Sequence, residues 1–238
     1  MTAYTNGDGP RIGAALLAKL RDDPDGFCQY NELLALFMGG ELPLVSLREL
    51  LRHPSEPVVA GSLFIAEELG PRASGLADEI IGHVGNKNPR IRISAIEALN
   101  GVISEGLECK FASVIAGMRD GDPHCRKIAM LLMIRAPEEW LHESLRSLEA
   151  HDCDPALRAG LEELVGATGR DVSWIEKSLA SDDPLVRRFG VVAAGRYATT
   201  DQRLLEVAAL SQYPDVQMCA AAQIKFLSMN RRARQGRS

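Results

Sequence analysis

The chain has 238 residues, of which 46% are hydrophobic and 25% charged, with a formal net charge of -5. This is the composition of a globular protein long enough to bury a large core, and the acidic balance counts against a dedicated nucleic-acid binder, which carries a basic face. The five cysteines (Cys28, Cys109, Cys125, Cys153 and Cys219) are odd in number, widely spaced and without a CxxC, which suits buried small hydrophobes in a reducing compartment better than a disulfide framework.

From the N-terminus, MTAYTNGDGP carries no basic n-region, and the apolar stretch IGAALLA is short and followed by charge, so no signal peptide is expected. No run approaches the roughly 18 apolar residues of a membrane span, and the expected location is the cytoplasm. PRIGAALLAKL and FCQYNELLALFM predict a capping helix pair within residues 1–41. Beyond it, LPLVSLRELLRH (42–53), SGLADEIIGHVGN (74–86), LECKFASVIAGMRD (107–120), PEEWLHESLRSLEAH (137–151), VSWIEKSLAS (172–181) and DQRLLEVAALS (201–211) each read as an amphipathic helix. Two of these share W-Φ-x-x-S-L, from Trp140 and Trp174.

Interleaved with them is a second set anchored on prolines: Pro57, Pro89, Pro123, Pro155, Pro184 and Pro214, separated by 29 to 34 residues. A period near 30 with helical content predicts stacked helix pairs, because one pair cannot bury its apolar face alone. Asn88, Asp122, Asp154 and Asp183 precede their prolines. Asx is a favoured N-cap and proline suits the next position, whose amide has no helical partner. Two residues after the proline stand Val59, Ile91, Cys125, Leu157, Val186 and Val216, and six after it Leu63, Ala95, Ala129, Leu161, Gly190 and Ala220. Those spacings define one helix face. Three after the proline come Arg92, Arg126, Arg158 and Arg187, with Ala60 and Gln217 in the first and last copies. The expected role of this ladder is structural, each arginine pairing with an acidic cap, its own or its neighbour's.

The segments DDPLVRRFGVVAAG, KNPRIRISAIEAL and GDPHCRKIAMLL resemble the second helix of the HEAT repeat, in particular the short bacterial HEAT-like type, over roughly residues 42–229. The resemblance implies an all-α fold, a right-handed α-α superhelix of about six helix-pair repeats plus the N-terminal capping pair. It also implies a scaffold or partner-binding module, since few proteins of this family are enzymes. Residues 230–238, within NRRARQGRS, read as a basic flexible tail.

Three enzyme types on this fold provide comparisons. Deoxyhypusine hydroxylases repeat a His-Glu dipeptide at a di-iron centre, whereas this chain has the single His142-Glu143. HEAT-like DNA glycosylases use a basic groove with aromatic residues, but Trp140 and Trp174 fall on first helices in acidic surroundings and are expected to pack between repeats. For HEAT-like bilin lyases no residue decides. HDCD (151–154) and His124-Cys125 are the densest donor groups, yet Asp154 is expected to cap a helix and Cys125 to be buried, so no metal and no cofactor are expected. The carboxylate pairs Glu67-Glu68, Glu138-Glu139 and Glu162-Glu163 are helix neighbours about 100° apart and do not face one site. There is no GxSxG, P-loop or GxGxxG.

Charge is distributed unevenly. Residues 138–163 hold eight acidic groups against Arg146 and Arg158, while from Val216 onward there are five basic groups and no acidic one. The resulting expectation is a non-enzymatic scaffold or adaptor that binds a protein, with an inhibitor or toxin-immunity protein as one form, rather than nucleic acid or a membrane; the alternative is a HEAT-like enzyme such as a DNA-base glycosylase or a bilin lyase. The concave face formed by the second helices is the expected surface, through Arg90, His124, Lys127, Arg158, Glu162 and Arg188. Glu138, Glu139 and Glu143 form a second, acidic patch.

Overall fold

The computed structural model describes residues 9–22, 30–150, 154–166, 170–198 and 200–235. Every regular element among them is helical, as the periodicity predicts. The chain divides into two compact units, residues 1–107 and 108–238, and the boundary falls between the second and third helix pairs of the repeat pattern.

The first unit contains α1 (Gly9–Asp22), α2 (Tyr30–Met38), α3 (Leu44–Leu51), α4 (Glu56–Leu69), α5 (Ala77–Val84) and α6 (Pro89–Val102), with a 3-10 segment at Gly70–Leu76. Helix α4 is its centre and packs against α2, α3 and α6. Close approach of α2 depends on Gly61, where a Cβ would fall inside the Tyr30 ring, and the Tyr30 hydroxyl donates to Pro57 O at 2.7 Å.

The second unit contains α7 (Ala112–Ala116), α8 (Pro123–Arg135), α9 (Glu138–Ala150), α10 (Pro155–Val165), α11 (Val172–Leu179), α12 (Pro184–Tyr197), α13 (Arg203–Ala209) and α14 (Pro214–Gln235). The segment read as one helix over 107–120 is broken. A single α-helical turn or so, α7, lies between 3-10 segments at Glu108–Phe111 and Gly117–Arg119. Its β-branched Val114 and Ile115 and the following Gly117 are all weak helix formers. In the other direction, α14 continues past residue 229 to Gln235. Helix α12 is apolar nearly all round and buried, packing against α8, α10, α11, α13 and α14.

The caps form as expected. Asn88 accepts from Arg90 N, and Asp122, Asp154 and Asp183 each accept from the amides two and three residues on. The turns ahead of Asn88, Asp122, Asp183 and Tyr213 are closed in the same manner, since Asn86, Asp120, Ser181 and Ser211 side chains accept from the backbone amide two residues later. The +6 residues are all buried, as are the +2 residues except the half-buried Val186. Polar bridges join successive helix pairs at separations of 27 to 35 residues, about one repeat: Arg52 to Glu79, Asn88 to Glu56, Arg119 to Asp154, Arg170 to Glu138 and Arg203 to Glu176.

Candidate functional site

The arginine ladder is structural, but its partners differ from those expected. Arg92 Nη1 donates to the carbonyls of Asn86 and Lys87 at 2.8 and 3.1 Å, and Arg126 Nη1 to those of Asp120 and Gly121 at 2.7 and 3.0 Å. Arg187 Nη1 donates to Ser181 O, and its guanidinium stacks 3.4 Å from the centre of the Tyr213 ring. Helical side chains lean toward the helix N-terminus. An arginine three residues beyond the proline therefore overlies the preceding turn, whose carbonyls lack helical donors. The cap carboxylates are already occupied by amides. Arg158 is exposed and lies 3.5 Å from Glu162 on its own helix.

The six expected concave positions fall in both units. Arg90 is exposed and belongs to the first unit, whereas the other five belong to the second. His124, Arg158 and Glu162 are exposed, and Lys127 is half-buried. Arg188, expected to be exposed, is half-buried. Its Nε donates to Asp215 Oδ2 at 2.9 Å and its Nη1 to Met118 O at 2.8 Å. Arg126 Nε donates to the same Asp215 oxygen at 2.7 Å. Burial pushes the Asp215 carboxyl up, but the hydrogen bonds from Arg126 and Arg188 outweigh it and hold the group below the usual carboxylate range. Burial also pulls the Arg188 guanidinium down, against the opposing pull of Asp215. Arg188 is covered because α8, α12 and α14 pack onto one another.

Four of the eight acidic residues of 138–163 are ion-paired among the described residues, and Asp152 lies outside them. Glu143 pairs with Arg146, Asp154 with Arg119, Glu162 with Arg158, and Glu163 accepts from the Trp174 indole at 2.9 Å. Of the second expected patch, Glu139 is exposed on α9. Glu138 accepts from Arg170 Nη2 at 2.8 and 3.0 Å on its two oxygens. Glu138 and Arg170 line a cleft of about 340 Å³ in the second unit, together with Leu141, Leu164, Val165 and Arg196. Sequence reading singled out neither Arg170 nor Arg196. The available signal was weak: Arg196 stands twelve residues after its proline, where the first two copies carry Leu69 and Gly101.

The tryptophans pack as expected. Trp140 lies against Phe111 with ring centres 5.5 Å apart, and Trp174 is half-buried on α11. The serines of the shared motif, Ser144 and Ser178, are buried, and Ser178 meets Gly190 where α11 crosses α12. Of the donors weighed for a metal, Asp154 is a cap, Cys125 is buried, and His151 and Cys153 lie outside the described residues. Glu67 and Glu68 are adjacent on α4 as read. The Glu67 carboxyl is pushed up by burial, and further by Glu97 and Glu68.

The second unit carries an apolar strip on α11 and α13. Between α11 and α13 run two adjoining shallow clefts of about 150 and 190 Å³, sharing Glu176, Leu179 and Val207. Val207 is 56% exposed, and Leu210, at the end of α13, is 86% exposed. Buried Leu204 and Ala208 form the floor, while the Glu176–Arg203 pair and exposed Glu206 edge the strip.

No protein-family model matches the chain, and no curated protein matches it in sequence. Among the described residues no helix is long and apolar enough to cross a membrane.

Proposed function

We propose that the chain is a non-enzymatic protein-binding module, a cytoplasmic scaffold or adaptor built as a right-handed superhelix of HEAT-like helix pairs. The observation that carries this reading is the strip on α11 and α13, where Val207 stands in solvent beside Leu179 and Leu204 and Leu210 is exposed at the end of α13. Clustered apolar exposure of this kind marks an interaction surface. The partner is a protein that lays an apolar helix face in the groove and brings basic groups to its edge. Exposed Glu206 beside the internally paired Glu176–Arg203, and the net charge of -5, favour such a partner. An inhibitor that covers a basic toxin is one form of this function. Exposed His124, Arg158 and Glu162 provide a second, charged contact area.

The test is affinity capture from the native cells with the wild-type chain and with a Val207→Asp, Leu210→Asp double variant. Both side chains are already in solvent, so the variant should keep its fold, as circular dichroism would verify. A stoichiometric protein held by the wild type and lost by the variant is the expected result. The same protein held equally by both, or only nucleic acid or a pigment captured, would overturn the reading.

A further inference from the structure

We propose that the cleft between α9, α10 and α12 is a binding site for a carboxylate carried on an apolar body, separate from the strip on α11 and α13. Among the described residues two guanidiniums and one carboxylate line it, leaving one positive charge in excess. Arg196 is held in place from behind, because its Nη1 donates to Met133 O and Ala136 O at 2.8 Å each, carbonyls at and just beyond the end of α8. All the hydrogen bonds it makes among the described residues run from that one nitrogen. The fork of the guanidinium is therefore oriented before any ligand arrives, which is the preorganisation that bidentate carboxylate recognition requires. Burial lowers the Arg196 pKa, and only Glu138 counteracts this. The cation is short of water, and a second anion would compensate for that.

The remaining lining specifies the rest of the ligand. Leu141 and Leu164 are buried and Val165 half-buried, forming an apolar wall beside the two arginines, and Tyr197 and Thr200 complete the lining with a hydroxyl each. The volume lies at the lower end of the range for small-molecule sites. An excess of one charge matches a monoanion better than a phosphate. Glu138, already held by Arg170 Nη2, is a resident competitor for the same cations. A free organic acid and the carboxylate of a bound polypeptide present the same chemistry.

Isothermal titration of the full chain distinguishes these sources with two pairs of probes. Benzoate is compared with benzamide, and acetyl-Ala-Ala-Phe with a free carboxylate is compared with its C-terminal amide. Inorganic phosphate is a further probe. Arg196→Ala would expose the end of α8, so the variants are Arg170→Ala, on an exposed residue, and Glu138→Gln. The expected result is that at least one acid binds about tenfold or more tightly than its neutral counterpart. Arg170→Ala should weaken that acid about tenfold, and Glu138→Gln should tighten it severalfold. Benzoate alone binding identifies a free acid as the source, and the peptide binding identifies a polypeptide. Equal affinity for acid and neutral counterpart, phosphate binding more tightly than either acid, or no saturable acid binding even to Glu138→Gln would overturn the proposal.

Discussion

Asp215 on α14 accepts a 2.7 Å hydrogen bond from Arg126 on α8, a residue 89 positions earlier. Arg188 of α12 reaches the same oxygen, so one carboxylate joins three helices of the second unit. Asp215 is only 6% exposed, and a charge in such a place is stable only because it is paired and hydrogen-bonded.

Replacing Asp215 by Asn should destabilise the second unit by about 3 kcal/mol, because two guanidiniums would keep their burial and lose their counter-charge. The pH dependence has a definite sign. The folded carboxyl titrates below its unfolded value. Its contribution is complete above the unfolded carboxylate range and is lost as pH falls toward the folded pKa. Denaturation measured from pH 7 down to pH 3 should show a steeper acid loss for the wild type than for Asp215→Asn. Parallel curves would mean that the triad contributes nothing to stability.

The caps at Asn88, Asp122, Asp154 and Asp183 were legible because a cap is local, a side chain meeting an amide two or three residues on. The helix faces were legible for the same reason. Arg92, Arg126 and Arg187 brace their own turns and Arg158 does not, and the partners are not legible because the carbonyls of Asn86 or Asp120 become acceptors only once the turn has folded beneath the arginine. Arg188 and Asp215 met through packing among helices remote in sequence, which periodicity does not encode. The same holds for Arg196 at the end of α8, some 60 residues away. The amphipathic pattern of 201–211 predicted α13, but a pattern cannot say which apolar positions a neighbour will leave uncovered, as at Val207 and Leu210.

Arg92→Lys should cost about 1 kcal/mol, close to the net worth of one hydrogen bond. Lysine keeps the charge but lacks the planar fork that spans two carbonyls. Thermal unfolding of the first unit should show a fall of roughly 4–8 °C. Arg90→Lys, at an exposed position two residues earlier, should leave it unchanged. Equal effects of the two substitutions would remove the special role of the ladder.

Two glycine substitutions should act in opposite directions. At Gly190 a Cβ would stand 2.9 Å from Ser178 Cβ and 3.0 Å from Leu179 N. Backbone cannot yield there, so Gly190→Ala should lose about 1–3 kcal/mol through overpacking, despite alanine's better helix propensity. At Gly82, within α5, nothing lies within 4 Å of the added carbon. Gly82→Ala should therefore gain about 0.5–1 kcal/mol from backbone entropy and helix propensity. Urea melts of the two variants against the wild type compare both signs in one experiment.

The cysteines should separate by accessibility. Cys109 is exposed, whereas Cys125 and Cys219 are buried. Burial pushes the Cys219 thiol up to about 12, so almost no thiolate forms there at pH 8 in the folded chain. The thiolate is the nucleophile, and a thiol both buried and protonated does not react. Brief iodoacetamide labelling at pH 8, followed by peptide mapping, should modify Cys109 and leave Cys125 and Cys219 unmodified. In denaturant, where the Cys219 pKa returns toward that of a free thiol, all three should react at similar rates. Early modification of Cys219 in the native chain would mean that α14 opens from α8 without global unfolding. The Asp215→Asn variant tests that link directly: with the tie to Arg126 weakened, Cys219 labelling should accelerate in step with the lost stability.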